Sequence, residues 1–244
     1  MGEWFENIKS QFILNFVTDN RWRNLTTGLK NTIVITLCAA IIGILLGITV
    51  AAIRTTYDKN KESMARNGKI GYAVMTFLNG VCKVYLSIFR GTPIVVQLMI
   101  MYYIILTSIK NGVIVAIIAF GINSGAYVAE IFRGGIMAID NGQFEAGRSL
   151  GFNYLQTMIF IVLPQVFKNI LPTLLNEFIA LLKETSVAGY VGITDLTRGG
   201  YIIRGITFSA FMPLIAIALI YLVMVMLLTR LVGVIERRLR KSER

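Results

Sequence analysis

The chain has 244 residues, 55% of them hydrophobic and only 15% charged, with a formal net charge of +11 and no histidine. Uncharged runs long enough to cross a bilayer make it an integral membrane protein rather than a soluble domain, and the missing histidine removes the commonest general base and metal ligand. Most Lys and Arg lie in short loops beside apolar runs, where they set membrane topology, so the charge implies a lipid bilayer and no nucleic acid.

Residues 1–30 mix aromatics with charges and read as an interfacial segment, with Trp4, Phe5, Phe12 and Trp22 at headgroup level. Residues 1–12 lack the apolar core and small-residue cleavage site of a signal peptide. The pattern predicts an all-α membrane protein whose transmembrane domain covers 31–232, with spans at about 31–53, 92–109, 113–129, 169–190 and 205–229. Within the first, Gly43 and Gly47 form a GxxxG, a candidate helix-packing face. Cys38 and Cys82 sit far apart in apolar segments and read as buried small hydrophobes, with no disulfide or metal site.

The stretch 70–89 is the main topological ambiguity. It is apolar, yet Asn79 and Lys83 interrupt it and Arg90-Gly91-Thr92-Pro93 follows. Charge decides the reading. With 70–89 as a membrane-surface helix, one side holds five Lys/Arg in 54–69, three in 130–168 and six from Arg230 onward. The other holds four in 1–30, one at Lys110 and two at Arg198 and Arg204. That bias predicts a multi-pass protein of the cytoplasmic membrane with its N-terminus outside and its basic tail, 233–244, inside.

At Arg90-Gly91-Thr92-Pro93 the missing N–H of Pro93 and missing side chain of Gly91 predict irregular backbone, tolerated at membrane depth only when packed or lining a cavity. Pro164 and Pro172 both fall in helical pattern, so at least one should kink or restart its helix, and Pro164 alone reads as a helix start. Glu177 stands inside a span, where a carboxylate costs on the order of 2.5–3.5 kcal/mol, so it should face the bundle interior or a water-filled cavity. It reads equally as the partner of a ligand ammonium and as half of an ion pair with Lys183 or Arg90. Thr92, Gln97, Asn123, Ser124, Tyr127 and Asn176 are candidates for the remaining polar grip on such a ligand. Lys183 and Glu184 read as structural or gating groups. No G-x-x-x-x-G-K-[ST] loop occurs, since the one Gly-Lys pair, Gly68-Lys69, is followed by Ile70. No catalytic triad or paired-carboxylate site is legible, so the chain reads as no enzyme and binds no cofactor of its own.

Between two long apolar stretches lies EAGRSLGFNYLQTMIFIVLP, residues 145–164. Its Glu145-Ala146, Gly151, Ile161, Leu163 and Pro164 stand in the register of the EAA loop of ABC importer permeases, which they resemble; Gly147 stands where that family usually has a second alanine. Arg90–Gln97 is similar to the RGTP-x3-Gln signature of permeases of the polar amino acid uptake family, and 123–136, 142–151 and 169–186 look like the same subfamily. The resemblance covers most of 28–238. It implies the type I ABC importer permease fold: five transmembrane helices with a cytoplasmic coupling helix at about 140–152. There Glu145, Ala146, Gly147, Ser149, Leu150, Gly151 and Phe152 would dock on a separate ATPase subunit. It further implies two ATP-binding subunits carrying ATP and Mg, a second permease subunit, identical or related, an extracytoplasmic substrate-binding protein and an amino acid as cargo. An ion-coupled secondary transporter and a non-transporting scaffold are the rival readings.

Overall fold

The computed structural model describes residues 2–241, and these are helical over most of their length. α1 (Gly2–Phe12) leads through a wide turn into α2 (Trp22–Asn67), which is 46 residues and therefore about 69 Å long, far more than a bilayer core of about 30 Å. α2 holds no proline and stops at Gly68, whose N–H still reaches the Met64 carbonyl at 3.2 Å. α3 (Lys69–Gly91) follows, with Asn79, Cys82 and Leu86 buried at the three- and four-residue spacing of one helix face. α4 (Ile94–Ile100) runs on as a wide turn over Met101–Ile105, and α5 is Gly112–Met137. α6 (Asn141–Ser149) and the single turn α7 (Tyr154–Thr157) form an elbow. α8 (Leu163–Glu184), α9 (Leu196–Thr207) and α10 (Phe211–Lys241) complete the chain.

Five of these helices are long and apolar enough to cross a membrane: Trp22–Glu62, Lys69–Gly91, Gly112–Met137, Tyr154–Val191 and Phe211–Leu239. The number matches the expectation; the second member does not. Residues 92–109 supply only Ile94–Ile105, about 18 Å of helix at 1.5 Å per residue, and the helix of spanning length is Lys69–Gly91. Its three charges fall at its first residue, Lys69, at Lys83 and in the last turn at Arg90, which leaves an 18-residue window still apolar enough. The expected break is present: α3 ends at Gly91, Thr92 is extended (φ −124°, ψ 149°), and helix resumes only after Pro93. α10 carries on through Lys241, so the basic tail is helical from 233 to 241, and its last three residues lie outside the described residues.

The chain divides into two compact units. One takes the N-terminal part through Ala39, Ile94–Phe120 and Ile179–Leu231. Its core is Phe16, Leu25, Leu196, Ile203 and Ile217. Here α9 lies close on α2, because Gly199 leaves no room for a Cβ over the Asn24 backbone and Gly28 none over Asp195 and Leu196. Polar ties fix the contact: Asn31 Nδ2 donates to the Thr194 carbonyl at 2.8 Å, and the Leu196 N–H donates to Thr32 Oγ1 at 3.1 Å. The buried Asp195 caps α9, accepting from the N–H groups of Thr197 and Arg198.

The other unit takes Ala40–Pro93, Gly121–Phe178 and the chain from Val232. Its core packs Ala51, Val128, Phe132, Ile136, Val162, Val166 and Ile170. The GxxxG is an internal packing face here: Gly43 lies against Ser124, where an added Cβ would stand 3.0 Å from Oγ, and Gly47 lies against Val128. From Tyr154 to Glu184 the helical path is unbroken, although its turn over Met158–Val162 is wide. Pro164 cannot donate to the residue-160 carbonyl, and the wide turn lies where that bond would fall. α-Helical geometry resumes at Leu163 and continues through Pro172 without interruption.

Candidate functional site

The elbow is built by end-caps. Asp140 Oδ1 accepts from the Gly142 N–H at 2.6 Å and starts α6. Gly151 ends it: at φ +80° its N–H reaches the Arg148 carbonyl (2.9 Å) and the Phe152 N–H reaches the Gly147 carbonyl (3.0 Å), the paired bonds of a Schellman cap. Asn153 and Gln156 then form a reciprocal capping box, both bonds 2.9 Å, that starts α7. Gly147 is buried beneath α7, and a Cβ there would come within 2.5 Å of Thr157 Cγ2 and Oγ1. Glycine in place of the family's alanine is thus a packing requirement of this chain.

What the elbow leaves outside is Glu145, Ala146, Ser149, Leu150 and Gly151, all exposed, with Leu150 at 70%. Phe152 is half-buried, its ring 6.1 Å from Phe160. Among the described residues the Glu145 carboxylate has no ion-pair partner. The outer face of this short capped helix therefore presents a small residue and an acid to its surroundings.

The same unit holds the polar residues of the spans. The buried Ser124 donates its hydroxyl proton to Glu177 Oε1 at 3.2 Å, joining α5 to α8. Asn123, also buried, donates from Nδ2 to the Phe89 carbonyl at 3.0 Å. Thr92 Oγ1 bonds the Ile88 carbonyl at 2.8 Å and serves as the end of α3. Asn176 is exposed, one residue round the helix from Glu177. Gln97 is buried on α4 and belongs to the other compact unit, as do Lys183 and Glu184 in the last turn of α8. Of the seven residues proposed for a ligand, the structure therefore joins Ser124 and Glu177 directly. Asn123 and Tyr127 stand on the same helix as Ser124.

A cluster that sequence reading did not single out surrounds Glu130. Arg54 approaches its carboxylate at 2.8 Å, Arg133 at 3.2 Å and Arg90 at 3.8 Å, while Asp58 meets Arg133 at 3.7 Å. Arg90 also lies over the Tyr127 ring, 5.8 Å from its centroid. Of these, Arg54, Arg90, Tyr127 and Glu130, with Lys83 and Ser87, line a cleft of about 600 Å³. Arg90, one of the two ion-pair partners that the sequence offered for Glu177, is thus part of the network around Glu130. Glu130 and Arg133, three apart on one helix, and Arg54 and Asp58, four apart on another, were the clue in the sequence.

Gly68-Lys69 is the joint between α2 and α3, and the Gly68 N–H is committed to Met64 instead of pointing into a cradle.

Five span-length helices among the described residues, a Ser124–Glu177 hydrogen bond between two of them and an exposed, capped elbow are the features of a permease subunit. Residues 68–241 match the family described as the binding-protein-dependent transport system inner membrane component, and the chain belongs to that family. It is 38% identical over 208 residues to the putative glutamine transport system permease protein of Rickettsia typhi, covering 84% of this chain and 89% of that one. It is 37% identical over 221 residues to the arginine transport system permease protein of Bacillus subtilis (88% and 92% covered). The L-cystine transport system permease protein of the same organism is 33% identical over 228 residues (92% and 90% covered). Among solved structures, an amino acid ABC transporter crystallised with histidines superposes with a TM-score of 0.77 at 36% identity, over 91% of this chain and 98% of that one. An inward-facing methionine ABC transporter, 20% identical with a TM-score of 0.71 over 88% of this chain and 95% of that one, shares the fold.

Proposed function

We propose that the chain is the membrane-spanning subunit of an ATP-driven importer that carries a polar L-amino acid into the cell by alternating access. Relatives named for glutamine, arginine and cystine support that cargo class. The observation that carries the mechanism is the elbow. Its outer face is bare, its ends are capped, and it continues without a break into the helix that holds Glu177. α6 packs on α7 where Gly147 meets Thr157, and from Thr157 to Glu177 is about 30 Å of helix at 1.5 Å per residue, so a displacement that α6 passes to α7 arrives at Glu177 along one rod.

In this reading two ATPase subunits grip the α6 faces of two permease subunits, identical or related. A substrate-binding protein delivers the amino acid on the outer side. α6 and the C-terminus lie inside and the N-terminus outside in this reading, which the alternation of five spans and the loop charges support. The Glu177 carboxylate, already bonded by Ser124, receives the ammonium of the cargo. Closure of the ATPase pair shifts α6 and rocks the spans about that site. Family membership displaces the ion-coupled carrier and the scaffold as readings.

The test is uptake in proteoliposomes holding this chain, its ATPase subunit and its binding protein. ATP-dependent amino acid uptake is expected, and Glu145→Lys should lower it by about tenfold or more while membrane insertion is retained. Uptake at the wild-type rate in that variant overturns the docking assignment.

A further inference from the structure

α2 reaches well past the thickness of a bilayer, and its far end meets the elbow. Lys59 Nζ donates to Asn141 Oδ1 at 3.2 Å and stands 4.2 Å from the centroid of the Phe144 ring. Phe144 in turn stacks on Tyr154 of α7, 6.3 Å between centroids and 15° from parallel. The Tyr154 hydroxyl meets the side chain of Asn60, the next residue of α2. Lys59, Asn60, Phe144, Glu145, Arg148 and Tyr154 line one cavity of about 400 Å³ beneath α6. One turn earlier on α2, Asp58 and Arg54 meet Arg133 and Glu130 of α5. The last part of α2 is thereby tied to α5 on one side and to both arms of the elbow on the other.

We infer that Lys59 is a positioning residue of coupling: its ammonium, clamped between the Phe144 ring and Asn141, makes the end of α2 a strut that shares every displacement of α6. Apart from the strut, α6 is held at its chain ends, to α5 before it and to α7 and the wide turn Met158–Val162 after it, and by Gln143, whose Oε1 accepts from Gln165 Nε2 of α8 at 3.1 Å, while Phe144 also packs against the core of the unit. With it, a push on the bare face of α6 is delivered to α2, α5 and α8 together. The cation is essential because both contacts need it: a ring face attracts positive charge, and an ammonium donates to the amide oxygen while still over the ring. The inference rests on reading α6 as the docking helix.

The experiment compares Lys59→Met, which keeps the stem and removes the charge, and Lys59→Arg, which keeps a cation, in the full transporter in proteoliposomes. It reads amino acid taken up per ATP hydrolysed. Lys59→Met should lower that ratio about three- to tenfold and Lys59→Arg should restore most of it. Detergent-solubilised Lys59→Met should still co-purify with the ATPase subunit, which separates slack coupling from failed assembly. An unchanged ratio in Lys59→Met overturns the strut, and so does an equal loss in Lys59→Arg. Glu145→Lys in the same preparation separates the two readings: if it takes up amino acid normally, the docking assignment falls, whereas if it fails while Lys59→Met is unaffected, only the strut falls.

Discussion

Glu177 and Glu130 are both acids on span-length helices, and the sequence treats them unequally. Glu177 interrupts an apolar run, so the cost of placing it there is visible from its neighbours. Glu130 stands three residues before Arg133, at the margin of a polar stretch, and reads as an ordinary interfacial charge. Its importance depends on Arg54 and Arg90, which lie 76 and 40 positions away in the chain, a distance no local pattern reports. Glu177→Gln keeps size and hydrogen-bonding capacity but removes the charge. If the carboxylate holds the ammonium of the cargo, the variant should weaken substrate-stimulated ATP hydrolysis by about tenfold or more, with the thermal unfolding midpoint in detergent almost unmoved. Full stimulation in the variant would assign Glu177 to structure.

At the scale of the element, α6 was legible through the resemblance of 145–164 to the EAA loop, and the structure adds the caps that bound it. Gly151 is needed for its positive φ, and Asp140 and Asn153 are residue types that begin helices. What could not be read was why position 147 is glycine, since Thr157 approaches it only once α7 has folded back. Gly147→Ala, a change toward the usual residue of the family, should therefore destabilise the detergent-solubilised protein by about 1–3 kcal/mol. Adding Thr157→Ala should recover most of the loss; an unchanged melting curve in the single variant would show that the elbow has slack. α9 yields a pH effect. Burial pushes the Asp195 carboxyl above its ordinary range, against the pull of the Thr197 and Arg198 N–H groups. A raised pKa favours the folded protein most at pH below the ordinary carboxylate value, and that contribution is lost as pH rises through the raised one. Between acid and neutral pH, Asp195→Asn should lose less stability than the parent, measured as the change in unfolding midpoint; parallel curves would refute the assignment.

For the molecule as a whole, the class, the count of span-length helices and the alternation of their connections were all present in hydropathy and charge. Replacing 92–109 by Lys69–Gly91 as the second span exchanges one helix for its neighbour, so every later connection keeps its side. The bias of Lys and Arg is therefore indifferent to the exchange, and charge alone could not have detected it. Helix length decided it, because Arg90-Gly91-Thr92-Pro93 ends one rod and leaves too little chain for another of full depth.

Gly43 touches Ser124, and Ser124 holds Glu177. A greasy position with no polar atom thus sits one neighbour away from the charge that would meet cargo. A single methyl introduced there would nudge a hydroxyl, and the phenotype would surface as altered preference among nutrients in a mutant whose fold and quantity look normal.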